Sequence, residues 1–139
     1  MKMKKLVLLT LLVFGVSFGV MAQNNKPTTP NKNQVSSQAE ITFEKIEHDY
    51  GDVPKNGNGE TTFSYKNTGK IPLILSNVRS SCGCTVPAWS REPLMPGQTA
   101  SIRVKYNTAN PGPINKTITV ESNARENRVV LRIKGKVLN

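Results

Sequence analysis

Beyond residue 40, apolar and polar side chains alternate along most of the chain. In TASIRVKYN (residues 99–107) the apolar positions are Ile102, Val104 and Tyr106, with Ser101, Arg103 and Lys105 between them. In RVVLRIKGKV (128–137) the inward set is Val129, Leu131, Ile133 and Val137, which turns Val130, Arg132, Lys134 and Lys136 to water. Phe63 and Tyr65 alternate with Ser64 and Lys66, and Ile118 and Val120 alternate with Thr117, Thr119 and Glu121. A period of two with one wet face predicts antiparallel strands. No stretch sustains an apolar stripe of helical period, and no helix cap precedes one.

Turn chemistry separates these runs. Asn56-Gly57-Asn58-Gly59, Asn67-Thr68-Gly69-Lys70, Pro96-Gly97 and Asn110-Pro111-Gly112-Pro113 supply positive or fixed φ where the chain reverses. Seven strands are predicted, at about 41–46, 60–67, 72–78, 84–87, 99–106, 115–121 and 128–138. Seven short strands in about 100 residues read as an all-β, immunoglobulin-like antiparallel sandwich. The one tryptophan, Trp89, falls on a cross-over, where it is expected to fill the core or cap one end of the sandwich. The last strand ends close to the final residue and is expected at a sheet edge, with Lys134 and Lys136 guarding it against unwanted pairing.

The first 39 residues change the picture of where this sandwich works. Lys2, Lys4 and Lys5 precede an apolar run from Leu6 to Val20, and Val20-Met21-Ala22 offers a small-residue cleavage site. That layout predicts a signal peptide over 1–22, cleaved near Ala22, because 15 apolar residues fall short of the ~20 that span a bilayer. Residues 23–39 (QNNKPTTPNKNQVSSQA) have too little apolar surface to offset ordering and read as a disordered linker. The domain is then 40–139. The mature chain is expected to be secreted or periplasmic, with no transmembrane segment. Removing the leader leaves 16 basic against nine acidic residues, or +7. The excess is spread along strands and turns, without the basic stripe and stacking aromatics of a nucleic-acid groove. No nucleic-acid partner is expected.

The motifs H-D-Y-G-D-V (48–53), F-S-Y-K-N-T-G (63–69), P-L-I-L-S-N-V-R-S-S-C-G-C-T-V-P-A-W (72–89), P-G-Q (96–98), P-G-P-I-N-K-T-I-T-V-E-S-N (111–123) and L-R-I-K-G-K-V (131–137) occur in this order. Together they resemble the secreted bacterial family known as domain of unknown function fifteen-seventy-three, across essentially all of 40–139. Tyr50 stands where Phe is commoner in that family. The resemblance implies a fold similar to Hydin-like and major-sperm-protein-like immunoglobulin-type domains, and a location outside the cytoplasm. It implies no reaction.

Cys82 and Cys84, one glycine apart, are the only cysteines. Secreted compartments favour oxidation of such pairs. Alternate Cα atoms of an extended strand lie about 6.6–6.8 Å apart, the upper edge of disulfide geometry, so a bond needs a bend at Gly83. A three-residue loop contributes only about 1.6 kcal/mol of chain entropy, whereas distortion can cost several. The pair is therefore a poor staple and, if bonded, readily reduced. Three readings stand side by side. The cysteines pack, or form a local disulfide, at a tight turn. They clasp a soft ion such as Cu(I), helped by Met95 or His48. Or they exchange disulfides, with Arg79 and Arg91 lowering a thiol pKa.

Enzyme constellations do not emerge. His48 and Asp49 are sequence neighbours and point to opposite faces of a strand, so they do not form a triad. Asp49 and Asp52 suit turn hydrogen bonding. Ser80 and Ser81 do not form a nucleophile elbow, and Asn115-Lys116-Thr117 is a chance glycosylation sequon. No catalysis and no cofactor are expected. The expected function is an interaction module that meets a protein partner in the cell envelope by recognition through sheet edges and end loops. The stretch 79–91, with Arg79, Cys82, Cys84, Trp89 and Arg91, is the expected binding loop.

Overall fold

The computed structural model describes residues 38–139. The leader expected at 1–22 and all but the last two residues of the expected linker lie outside the described residues. Ala39, at the end of that linker, is fully buried and bridges Ala124, so the chain is already docked on the domain there.

Among the described residues, eight strands form in chain order: β1 (Ile41–Phe43), β2 (Glu47–Val53), β3 (Glu60–Asn67), β4 (Leu75–Ser80), β5 (Thr85–Ala88), β6 (Thr99–Tyr106), β7 (Gly112–Ser122) and β8 (Arg128–Val137). They make two four-stranded sheets, ordered β1-β3-β6-β5 and β2-β8-β7-β4. No helix occurs among the described residues, so none is long and apolar enough to cross a membrane. The inward faces of both sheets supply one core. Phe63, Ile102, Val104, Ile118, Leu131 and Ile133 are fully buried, and each such side chain contributes ~1.5–3 kcal/mol of transfer free energy. Val130 faces water at 49% exposure, as the alternation requires.

Three features depart from the sequence reading. The strand expected at 41–46 ends at Phe43, and an eighth strand that the sequence reading did not expect, β2, begins at Glu47 in the other sheet. Ile46, on the connection between them, is 59% exposed. The last strand is not an edge. β8 lies between β7 and β2, and β2 pairs with it in parallel, from Glu47 with Arg132 to Val53 with Val137. Arg132 N donates to Ile46 O at 2.8 Å and Leu138 N to Val53 O at 2.7 Å, which closes this side. Lys134 therefore guards no edge. Its Nζ lies 2.6 Å from Glu47 Oε1 and 3.8 Å from Asp49 Oδ2, and the Glu47 hydrogen bond raises its pKa. Third, Asn67 is more than a turn residue. It is fully buried, its Nδ2 donates to Ile71 O and Leu94 O, and its Oδ1 accepts from Gly69 N. Three of its four side-chain hydrogen-bonding positions are used to hold two connections against the core.

The sheet order places β4 and β5, consecutive in sequence, at the edges of different sheets. The chain must therefore switch sheets within residues 81–84, and both cysteines lie in that switch.

Candidate functional site

The switch is built from hydrogen bonds on both flanks. Ser81 N donates to Thr117 O, and Thr117 N donates to Ser81 Oγ, which pins the end of β4 to β7. Asn107 N donates to Cys84 O at 2.8 Å, which pins the start of β5 to the end of β6. Ser80 Oγ lies 2.5 Å from Cys82 O and 2.6 Å from Thr85 O, sharing its proton across the turn. Between these anchors the chain bends at Gly83. The Cα atoms of Cys82 and Cys84 come to 5.3 Å, well inside the spacing of a flat strand, and the two sulfurs are bonded to one another. Of the three readings, the structure shows the local disulfide at a tight turn. A Cu(I) clasp would first require reduction of this bond, and no group of three or more His, Cys, Asp and Glu side chains converges among the described residues.

Thr85 is the residue the sequence reading missed. It is 2% exposed, and its Oγ1 lies 3.7 Å from Cys82 Sγ and 3.9 Å from Cys84 Sγ. With both sulfurs bonded, only the hydroxyl has a proton to donate. Alternation would turn Val86 inwards. Instead Thr85 is buried and Val86 is 61% exposed on an edge strand that, among the described residues, pairs only with β6. The inverted order of polar and apolar residues in Thr85-Val86 was the available signal.

Cys84 and Val86 line a groove of about 570 Å³ at one end of the sandwich. The β2–β3 loop contributes Asn56 and Asn58, and the end of β6 with the loop after it contributes Lys105 and Asn107. Asn56 adopts φ 59°, a left-handed conformation that asparagine tolerates, and its N donates to Thr108 O. Tyr50 Oη donates to Gly59 O at 2.7 Å, tying β2 to the groove wall. Burial first, and the Glu60 carboxylate second, push the Tyr50 phenol up to about 12.

The stretch 79–91 is not one loop. It holds the end of β4, the disulfide turn, all of β5 and the start of the connection after it. Arg79 reaches Glu121 at 3.3 Å. Trp89 and Arg91 lie beyond the far end of β5, about 16 Å of extended chain from Cys84. There Trp89 packs against the core, as a capping role requires, and the Arg91 guanidinium stacks 5.4 Å from its ring. Trp89 Nε1 is buried without a hydrogen-bond acceptor among the described residues. Of the five residues expected together, only Cys82 and Cys84 share a site, and Trp89 and Arg91 form a second cluster.

His48, the only histidine, lies on β2 and is reached by Lys45 Nζ at 3.1 Å. Burial and the Lys45 cation lower its pKa, against a smaller opposing pull from Asp49. Asp49 Oδ1 accepts from Gly51 N at 2.8 Å, the Asx-turn role expected of it. Met95 is 50% exposed on the β5–β6 connection.

Comparison with solved structures supports the fold. The ASH/PapD-like domain 7 of human CEP192 superposes with a TM-score of 0.64 at 8% identity, covering 84% of this chain and 96% of that one. A protein of unknown function from Porphyromonas gingivalis W83 gives 0.61 at 17% identity, over 78% of this chain and 51% of that one. The secreted serine protease VesC from Vibrio cholerae gives 0.55 at 16% identity over 72% of this chain, which spans only 23% of the VesC chain. At these identities the likeness is one of fold, a PapD-like immunoglobulin-type sandwich. No curated protein matches the sequence. Residues 41–137 match the family model described as "Protein of unknown function (DUF1573)", and the chain belongs to that family.

Proposed function

We propose that this chain is a non-catalytic protein-interaction module that works outside the cytoplasm, delivered by the leader ending near Ala22 and held away from whatever its N-terminus meets by the 23–39 linker. Its partner is a protein of the cell envelope that offers an extended segment to the groove end of the sandwich. One observation carries the reading: a free edge strand, β5, presents a 61%-exposed valine beside a groove walled by three connections. Strand addition needs an unpaired edge for main-chain hydrogen bonds and a pocket for alternate side chains. β5 and the groove supply both. The other edges are less suited, since β1 has three residues and β2 and β4 carry register breaks. Pro87 removes one donor from β5, which limits self-association along the same edge.

The test is site-specific cross-linking. A photoreactive side chain placed at Val86 should yield partner adducts in intact envelopes. The same group at Val130, exposed on the opposite sheet, should yield none. Equal adducts from both positions would sink the reading.

A further inference from the structure

We propose that the Cys82–Cys84 bridge is a thiol–disulfide exchange site whose substrate is an extended peptide carrying a pair of cysteines, admitted to Cys84 along the groove. The exchange chemistry does not rest on the interaction reading, whereas the extended-peptide substrate does. It rests on what the bridge does and does not do for the fold.

A bridge that closes a loop of two sequence steps removes little freedom from the unfolded chain. It is also redundant as a clamp. Ser81 is held by Thr117 on one side and Cys84 by Asn107 on the other, with Ser80 spanning the turn. Opening the bridge leaves every one of these bonds in place, so the turn persists as a dithiol. A disulfide that stabilises little and can open without unfolding is a labile one.

Access is directional. Gly83 and Cys84 line the groove, whereas Cys82 is not among the lining residues. The space a side chain would occupy at Gly83 is open to at least 4 Å. A thiolate seated in the groove therefore meets Cys84 Sγ first. The new S–S bond forms there, the Cys82–Cys84 bond breaks, and Cys82 Sγ leaves with the electron pair. Thr85 Oγ1, already 3.7 Å from that sulfur, donates its proton to the departing thiolate as a hydrogen bond. The second substrate thiolate then attacks its own sulfur in the mixed disulfide and releases Cys84 as thiolate. Two electrons pass to the protein, and the two thiol protons of the substrate end on Cys82 and Cys84. The substrate leaves oxidised. Return to the bridged form takes the reverse exchange with a disulfide-bearing molecule of the glutathione class. Thr85 is a positioning residue here, acting through the sulfur it faces.

The experiment uses the mature chain and glutathione as the probe, with thiol alkylation read by mass spectrometry. The bridge should be reduced by glutathione in native buffer while near-UV circular dichroism stays unchanged. In Cys82→Ser, oxidised glutathione should cap Cys84 about tenfold faster than it caps Cys82 in Cys84→Ser, because access governs exchange. Thr85→Val should slow reduction of the native bridge, and Thr85→Ser should restore it. A bridge that opens only when the domain unfolds would overturn the proposal, and so would equal capping of the two single variants. The native-protein measurement stands even if a variant fails to fold. Failure of the Val86 cross-link would leave these outcomes untouched.

Discussion

The β7–β8 pair and the β4–β5 switch both mix polar and apolar residues, yet they serve opposite ends. β7 and β8 share ten registered residue pairs in the middle of their sheet and bury Ile118, Leu131 and Ile133 completely. The switch leaves both cysteines half-buried, Gly83 exposed and Val86 projecting to solvent from a four-residue strand. In the first region, neighbours on both sides satisfy the backbone, and the inward side chains pack in the core. In the second, each sheet ends, and the chain is held by a handful of specific hydrogen bonds. Stability is concentrated where the sheet is continuous. Accessible chemistry is concentrated where it stops.

The sharpest way to break this contrast is to truncate one aliphatic side chain to alanine in each region. Leu131→Ala should destabilise the domain by about 2–5 kcal/mol in urea unfolding, a large share of the ~5–15 kcal/mol typical of a domain. Val86→Ala should change stability by no more than about 0.5 kcal/mol. Similar losses from both would mean that the switch belongs to the core. Next in size is the seam where β2 joins β8. Gly135 has φ 145°, and a Cβ there would lie 2.8 Å from Gly51 O and 3.0 Å from Tyr50 Cβ. Gly135→Ala should cost about 1–3 kcal/mol by the same assay, from backbone strain and the displacement of β2.

That seam marks the limit of what the sequence could disclose. Alternation located the core because Phe63, Ile102, Val104, Ile118, Leu131 and Ile133 each repeat at period two within their own strand, and burial follows locally from that pattern. The pairing of β2 with β8 joins residues more than 80 positions apart, and nothing in ITFEKIEHDY announces a parallel partner. The same run has no Gly or Pro to mark its division into two strands. Only the lapse of alternation at Glu44-Lys45-Ile46 hints at it. The cysteine turn was half legible. Spacing showed that a bond needed a bend at Gly83, but the bend is imposed by Ser80, Thr117 and Asn107, which lie in three separate stretches. Thr85 could not be found by looking for reactive residues, since its role comes from being buried under two sulfurs.

A gentler probe of the contrast is the bridge itself. Replacing both cysteines by serine should lower stability by about 1.6 kcal/mol at most, the loop-entropy value for a closure this short. Thermal unfolding of the double variant beside the parent checks it. A loss matching that of Leu131→Ala would show that the bridge, and not its flanking hydrogen bonds, holds the two sheets together at this end.

The smallest effect tests whether the groove wall draws on the stable region at all. Tyr50 connects them, donating from β2 to Gly59 O beside the groove. Tyr50→Phe removes that hydrogen bond and should cost about 0.5–1.5 kcal/mol near neutral pH. The pH dependence carries the sharper signature. Burial raises the folded-state phenol from 10.0 to about 12, so the folded protein keeps a proton that the unfolded chain releases. The stabilisation is fully present below pH 10 and is lost as pH rises through the interval to about 12. Urea unfolding across that interval should show stability falling with pH in the parent and falling less steeply in Tyr50→Phe. A residual slope should remain, because burial also raises Tyr65. Identical slopes in parent and variant would mean that the phenol gains nothing from its place against Gly59, and that the groove wall stands independently of β2.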